Sequence, residues 1–137
     1  MSVPCVVIDT NWVLDLWVFD DPGAQALRQA VQTGQVRWLA CPPMRDELAR
    51  VLTYPAVHKR LLASERAADT VLAGFDRWSQ GVARPPACPW RCKDPDDQVF
   101  IDLAHAHQAT LLSKDAAVLR LRTRLAQSGA RVVSQWT

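Results

Sequence analysis

Short apolar runs alternate with segments of helical periodicity along the whole chain, and this alternation restricts the possible folds most. The runs span residues 5–9, 36–40, 109–113 and 131–134. They do not alternate apolar and polar residues, as strands with one exposed face do, and this favours buried strands of a parallel sheet. The other segments predict helices, some bounded by Pro or Gly, over residues 22–34, 42–55, 56–63, 64–80, 96–107 and 116–129, the last with a break allowed. Parallel strands joined through helices predict a three-layer α/β/α sandwich with a central parallel sheet.

Length and charge place this fold in a small soluble protein. The 137 residues fit a single domain over residues 1–137. A domain of this size buries about 68% of the surface of its unfolded chain, so it needs no metal or disulfide to fold. The net charge of +2 gives no general attraction to nucleic acid or membrane, so a site for a polyanion must come from local clustering. Residues 81–95 are rich in Pro and predict a loop, with room for a short strand at its start.

The N-terminal apolar run resembles neither a signal peptide nor a transmembrane helix. It has no basic leader region, and four aspartates interrupt it: Asp9, Asp15, Asp20 and Asp21. We therefore expect a cytoplasmic protein without membrane contact, in which the four cysteines are reduced. Cys88 and Cys92 are spaced C-x3-C, but no second pair stands at a ligand spacing and the histidines are distant in sequence, so zinc is not expected.

Four of the fourteen acidic residues fall at positions that the predicted fold would bring together. Asp9 ends the first strand, Glu47 lies early in the helix after the second strand, Asp97 opens a helix, and Asp115 follows the strand at 109–113. Parallel strands end along one edge of a sheet, where open α/β sheets bind ligands. We therefore expect Asp9, Asp115 and the start of the helix that carries Glu47 at this edge.

Helix capping alone could explain three of these acids. Asp9 and Asp115 each precede a helix, and Asp94-Pro95-Asp96-Asp97 matches an N-cap, a Pro at the first helical position and an acid at the third. Glu47 fits capping least, because its helical spacing from Met44 and Val51 puts it beside the apolar face.

As a group, the four carboxylates call for a counter-ion. Four negative charges in one cleft would repel one another and raise some of the pKa values unless a cation were bound. Ligands that offer oxygen alone suit Mg²⁺ or Mn²⁺, and such an ion can hold a phosphodiester and activate a water.

Four segments resemble, in order and spacing, the acidic motifs of the PIN domain, from about residue 4 to residue 134: "VVIDTNWVLDLWVFDDP", "RDELARVLTYP", "DPDDQVFIDLA" and "ATLLSKDAAVL". Within that family, the chain is most similar to the bacterial branch of toxins of toxin–antitoxin systems. The resemblance implies an α/β/α fold and an endoribonuclease that cuts single-stranded RNA with a water activated by Mg²⁺ or Mn²⁺. It also implies a separately encoded antitoxin and a homodimer.

The resemblance carries the family's site residues onto this sequence. The catalytic and metal-binding acids correspond to Asp9, Glu47, Asp97 and Asp115, with Asp97 chosen because it lies seven residues before the small residue Ala104. Residues expected to orient these carboxylates and their water are Thr10, Asn11 and Ser113, with Asp94 and Asp96 beside the third acid as accessory groups.

Contacts to RNA are expected from cations and aromatic rings near the motifs. Arg91, Lys93 and Lys114 stand next to the third and fourth acids and could bind phosphate. The run Arg120, Arg122 and Arg124 leaves two alternatives open, a phosphate contact or a solvated helix face.

Two tryptophans mark departures from the general PIN pattern, and Trp12 or Trp90 could stack on a base. Trp12 follows "DTN", where a smaller aliphatic residue is usual, so its indole must pack beside the metal edge or line the substrate path. Trp90 lies in "CPWRC", which adds two thiols that the pattern does not require.

Two other functions compete with a nuclease. Response regulators and haloacid dehalogenase-like phosphatases also gather Asp at strand ends around Mg²⁺, but the hydrolases typically use D-x-D-x-T where this chain has Asp9-Thr10-Asn11. A PIN fold that binds RNA or protein without cutting is the second alternative, and the presence of all four acids argues against it.

Overall fold

One parallel sheet organises the protein, as described for residues 3–136 in a computed structural model. Within these residues its strands are β1 (Cys5–Ile8), β2 (Arg37–Ala40), β3 (Ser79–Gly81), β4 (Thr110–Leu112) and β5 (Arg131–Val133). Their order across the sheet is β3-β2-β1-β4-β5, and every neighbouring pair is parallel. The predicted α/β/α fold with a central parallel sheet is confirmed. The short strand expected at the start of the 81–95 loop begins earlier, at Ser79, so the helix predicted over 64–80 ends before its last two residues.

The α-helices of residues 3–136 are α1 (Thr10–Trp17), α2 (Gln25–Gln32), α3 (Pro42–Val51), α4 (Pro55–Ala63), α5 (Ala68–Trp78), α6 (Gln98–His107), α7 (Ala116–Leu119) and α8 (Arg122–Gln127). Two 3₁₀ turns, Pro22–Ala24 and Pro95–Asp97, lead directly into α2 and α6. The helix predicted over 22–34 therefore starts as a 3₁₀ turn, and the one over 116–129 is broken in two. No helix of the described chain has both the length and the apolarity that a membrane crossing requires.

The central strand β1 is buried on both faces, as expected where helices cover both sides of a parallel sheet. Val6, Val7 and Ile8 are almost fully inaccessible to solvent. On one face, Trp38 of β2 stacks on Trp17 at 5.3 Å between ring centroids and meets the edge of Phe75 at 5.0 Å. This cluster fixes the ends of α1 and α5 on the sheet, and the rigid sheet in turn fixes the loops at its carboxyl edge.

The strand order changes direction between β1 and β4, because the chain runs outward from β1 through β2 to β3 and then returns to β4 on the other side. The backbone N–H of Asp9 donates to Leu112 O at 3.0 Å, and the N–H of Ser113 donates to Val133 O at 3.0 Å, so the ends of these strands are aligned. Such a switch point is where open α/β sheets form a ligand crevice. Asp9 and Ser113 lie at that crevice.

Candidate active site

Asp9 joins two segments of chain at the switch point. Its Oδ1 accepts a hydrogen bond from Asn11 N at 3.2 Å, which caps α1 as predicted, and its Oδ2 accepts one from the Ser113 hydroxyl at 2.8 Å. Burial raises the pKa of Asp9, and these two donors oppose the rise. Capping therefore uses one oxygen of Asp9, while the other is oriented by a residue 104 positions away.

Ser113 also fixes the loop that carries Asp115. The Ser113 hydroxyl oxygen accepts a hydrogen bond from Asp115 N at 3.1 Å, and Asp115 Oδ1 accepts one from Ala117 N at 2.8 Å, which caps α7. Ser113 is fully buried. One hydroxyl group thus sets the relative positions of the Asp9 carboxylate and the Asp115 backbone.

Glu47 reaches the same crevice from α3. Its Oε2 accepts a hydrogen bond at 2.8 Å from the hydroxyl of Thr10, the first residue of α1. Glu47 is half-buried, and burial raises its pKa, with Thr10 opposing the rise and the charge of Asp9 adding to it. The sequence placed Glu47 beside the apolar face of its helix, and this burial agrees with that placement.

Asp97 differs from a capping residue. Asp94 caps the 3₁₀ turn by accepting from Asp96 N at 3.0 Å, whereas Asp97, which precedes α6, makes no capping hydrogen bond with its side chain. Helix capping, one of the explanations that the sequence left open, therefore does not account for the Asp97 side chain, although the residue stands at the start of α6. Asp97 is 8% exposed, and its Oδ2 is buried without a hydrogen-bond partner among the described residues.

The environment of Asp97 opposes its ionisation. Burial, the largest cause, and repulsion from Asp9, Asp115 and Asp94 together raise the pKa of Asp97 to about 7. A carboxylate oxygen that is buried without a donor is costly, since it has lost water and gained nothing in return. This position calls for either a proton or a cation.

Three carboxylates converge at this point. Asp94, Asp97 and Asp115 each offer an oxygen, and these atoms lie within 4.8 Å of one another. The sequence analysis gave Asp94 only an accessory place, while Asp9, expected among the ligands, lies outside this closest group. The difference arises from the 3₁₀ turn, which brings Asp94 and Asp97 to the same side.

All four predicted acids nevertheless line one pocket of about 420 Å³, together with Asp94 and Asp96. Among the described residues that line it, Arg50 is the single cation. The charged groups of this pocket that could bind a metal ion are carboxylates, and no Cys or His is among the lining residues. Hard oxygen ligands and a buried, unsatisfied carboxylate fit Mg²⁺ or Mn²⁺, and Asp94, Asp97 and Asp115 could hold such an ion.

The loop before Asp94 is fastened to α6 by a buried network. Asp102 Oδ1 accepts from Cys88 N at 3.0 Å and from Gln98 Nε2 at 2.9 Å. Gln98 Oε1 in turn accepts from Cys92 N at 2.6 Å. The two thiols of "CPWRC" are free, and the backbone between them is held in place, which fixes the approach to Asp94.

The cations predicted to bind RNA do not line the acidic pocket. Lys114 pairs with Asp15 at 2.9 Å and lies over the ring of Trp12 at 4.7 Å. Arg91 donates to Cys88 O at 2.8 Å, and Lys93 is exposed beside the loop. Their role in RNA binding stays a prediction. The same holds for three exposed residues of the α7–α8 region, Arg120, Arg122 and Arg124.

Neither tryptophan singled out by the sequence offers a free ring face at the acids. Trp12 is 3% exposed, lies under Lys114 and does not line the acidic pocket. Trp90 is half-buried and meets the His105 ring edge-on at 5.2 Å.

Among the lining residues that sequence reasoning missed, three carry a positive charge or an aromatic ring: Phe19, Arg50 and Tyr54. The spacing of Arg50 and Tyr54 from Glu47, three and seven residues, is that of one helix face and could have identified both. No comparable spacing pointed to Phe19, because it follows the end of α1.

The fold and the acidic crevice define an α/β/α protein with a candidate divalent-cation site at the switch point of its sheet. The family model of the PIN domain matches residues 5–117, and the chain belongs to this family. No curated protein matches the sequence.

A solved structure shares the fold over nearly the whole length. It is the crystal structure of VapBC2 from Rickettsia felis bound to a DNA fragment from their promoter. The TM-score is 0.62 at 12% sequence identity, and the match covers 97% of this chain and 99% of that chain. At this identity the likeness concerns the fold.

Proposed function

We propose that the protein is an endoribonuclease that cuts single-stranded RNA by means of Mg²⁺ or Mn²⁺ and an activated water. The observation that carries the proposal is the buried Oδ2 of Asp97, which has no donor among the described residues and lies where the carboxylates of Asp94 and Asp115 converge. A structural role would not account for an unsatisfied carboxylate among like charges. Membership of the PIN domain family supports the nuclease class.

The proposed ligands are Asp94, Asp97 and Asp115, with Asp9 binding either directly or through water. Each Asp9 oxygen already accepts one hydrogen bond, but a carboxylate oxygen has a second lone pair for a cation. When bound, the ion would supply Lewis-acid stabilisation of charge on the phosphate and a lowered pKa for a water.

The residues around the ligands hold the reacting groups. Thr10 binds Oε2 of Glu47, which leaves Oε1 to accept a hydrogen bond, and then a proton, from the attacking water. Asn11 and Ser113 keep the Asp9 carboxylate in one orientation, so that the cluster does not reorganise when the phosphodiester binds.

We further propose that the nuclease is the toxin of a toxin–antitoxin pair, with a separately encoded antitoxin and a homodimeric assembly. The four acidic motifs support this, because they are most similar to the toxin branch of the family. The likeness to a chain in the structure of VapBC2 bound to a DNA fragment from their promoter agrees with it. A PIN-fold module that binds RNA without cutting is the competing interpretation.

The test is a cleavage assay on a panel of labelled single-stranded RNAs with Mg²⁺ or Mn²⁺. It compares the wild-type protein, the wild-type protein with EDTA, and the Asp97→Asn variant. Asp69→Asn is the matched control, because Asp69 is an exposed aspartate on α5 that does not line the pocket. Cutting that needs metal, survives in the control and is abolished by Asp97→Asn supports the nuclease. Metal-independent cutting, or cutting that survives in Asp97→Asn, would contradict it.

A further inference from the structure

The acidic pocket has a second, apolar end. Helices α1 and α3 both start at the carboxyl edge of the sheet and run away from it, with Thr10 and Glu47 nearer the edge. Further along the same helices and the turns that follow, the lining changes to Leu14, Phe19, Val51, Tyr54 and, at the start of α4, Val57. A ligand with a charged group at the acids would therefore place a neighbouring group against apolar side chains.

Two aromatic rings at this end are unusually open to solvent. Phe19 is 38% exposed and Tyr54 is 47% exposed, whereas Trp17, Trp38 and Phe75 are buried in the core. Four large apolar side chains of the described chain are this exposed, and the two aromatic ones among them both line the acidic pocket. An exposed ring beside a polar pocket offers a face to a planar partner.

Hydrogen bonds fix the backbone at both aromatic residues. Phe19 donates its N–H to Leu14 O at 2.8 Å, and its carbonyl accepts from Arg60 at 3.4 Å. Tyr54 donates its N–H to Val51 O at 3.0 Å, so the turn continues the direction of α3. Because the backbone at these positions is fixed before a ligand arrives, binding needs little ordering of the main chain.

Arg50 links the two ends of the pocket. It follows Glu47 by three residues and precedes Tyr54 by four, so it lies about one helical turn from each. As the single cation among the described lining residues, it can neutralise a phosphate between the carboxylates and the rings. The pocket thus combines carboxylates and a cation, which suit a phosphate with its metal ion, with aromatic rings, which suit a base.

We propose that Phe19 and Tyr54, with Arg50, form a stacking subsite for an unpaired base next to the phosphodiester held at the carboxylates. This inference rests on the proposed nuclease function and specifies how its substrate is selected. A base in a duplex is already stacked and paired and cannot enter such a subsite. The subsite therefore admits single strands and unpaired ends. Because every base has a π-face, the subsite selects strandedness more than sequence.

The experiment uses short single-stranded RNAs that carry 2-aminopurine at each position in turn. Binding is measured in an Asp97→Asn background, so that the probe is not cut. One position should show quenched fluorescence, and Tyr54→Leu or Phe19→Leu should remove the quenching and weaken binding by about 5- to 30-fold. Tyr54→Phe should retain both the quenching and the binding affinity, because the aromatic ring is still present.

Leu62→Ala is the control, since Leu62 is 66% exposed on α4 and does not line the pocket. In the otherwise wild-type protein, the leucine variants should lower kcat/KM for single-stranded RNA by a similar factor and leave Mn²⁺ binding unchanged. Unchanged quenching and affinity in the Phe19→Leu/Tyr54→Leu double variant, while wild type cuts RNA, would overturn the subsite and point to a protein partner on this face. If Tyr54→Leu loses the quenching but the wild-type protein does not cut RNA, the result would support the stacking subsite and reject the nuclease function.

Discussion

The Ser113 hydroxyl donates a hydrogen bond to Asp9 Oδ2 at 2.8 Å, and the Ser113 hydroxyl oxygen accepts one from Asp115 N at 3.1 Å. These two bonds tie the ends of β1 and β4 together at the point where the order of the sheet reverses. The carboxylates at the crevice therefore depend on one buried hydroxyl for their relative placement. Removing it tests whether the geometry seen here matters for metal binding.

Ser113→Ala should lower Mn²⁺ affinity and kcat/KM by about 10- to 100-fold, the usual effect of losing a group that orients a ligand. It should also cost about 1–3 kcal/mol of unfolding free energy, because the partly buried N–H of Asp115 loses its acceptor and Asp9 loses a donor. Calorimetric titration with Mn²⁺ and chemical denaturation measure the two effects. Ser113→Thr keeps the hydroxyl and should retain most of the metal affinity; equal losses in both variants would refute the orienting role.

The raised pKa of Asp97 makes stability depend on pH in a defined direction. The native state keeps the Asp97 proton up to about pH 7, whereas the unfolded state loses it near the ordinary value of 3.8. Between these values the native state binds more protons, so the free energy of unfolding should fall as pH rises. Asp9 and Glu47, whose pKa values are raised by burial, act in the same direction.

Bound Mg²⁺ or Mn²⁺ should reverse that trend, because it stabilises the ionised carboxylates. The measurement is Tm between pH 5 and pH 8, with EDTA or with metal. The gap between the two curves should widen with pH, and Asp97→Asn should flatten the EDTA curve. A Tm in EDTA that rises from pH 5 to pH 7 would contradict the placement of Asp97 among like charges.

The bond from Thr10 to Glu47 should matter for turnover more than for metal affinity. Thr10→Val keeps the shape but removes the donor to Oε2, so Glu47 loses a group that favours its ionised form. We expect kcat to fall by about tenfold or more, with the acidic limb of the pH–rate profile displaced to higher pH. Thr10→Ser restores the donor and should restore the profile; a profile that is the same in all three proteins would exclude a proton-transfer role for Glu47.

Much of the fold followed from local pattern. Apolar runs without alternation indicated buried parallel strands, and strand ends at Asp9 and Asp115 indicated one edge, because side-chain periodicity and chain direction are local properties. The grouping of Asp94, Asp97 and Asp115 was harder to predict from the sequence, since Asp94 and Asp97 come together only because the chain forms a 3₁₀ turn there. Lys114 shows the same limit, because its partner Asp15 lies 99 residues away and no local pattern indicates this ion pair.

The network behind the loop gives the last prediction. Asp102→Ala removes the acceptor of both Cys88 N and Gln98 Nε2, and the buried N–H of Cys88 is then left without a partner. We expect a loss of about 1–3 kcal/mol in unfolding free energy and a lower Mn²⁺ affinity, because the loop that ends at Asp94 is no longer fastened to α6. Asp102→Asn keeps an acceptor oxygen and should preserve both quantities. Denaturation and calorimetric titration on the two variants decide the matter: if Asp102→Ala loses stability but binds Mn²⁺ as wild type does, the network supports the fold without positioning Asp94.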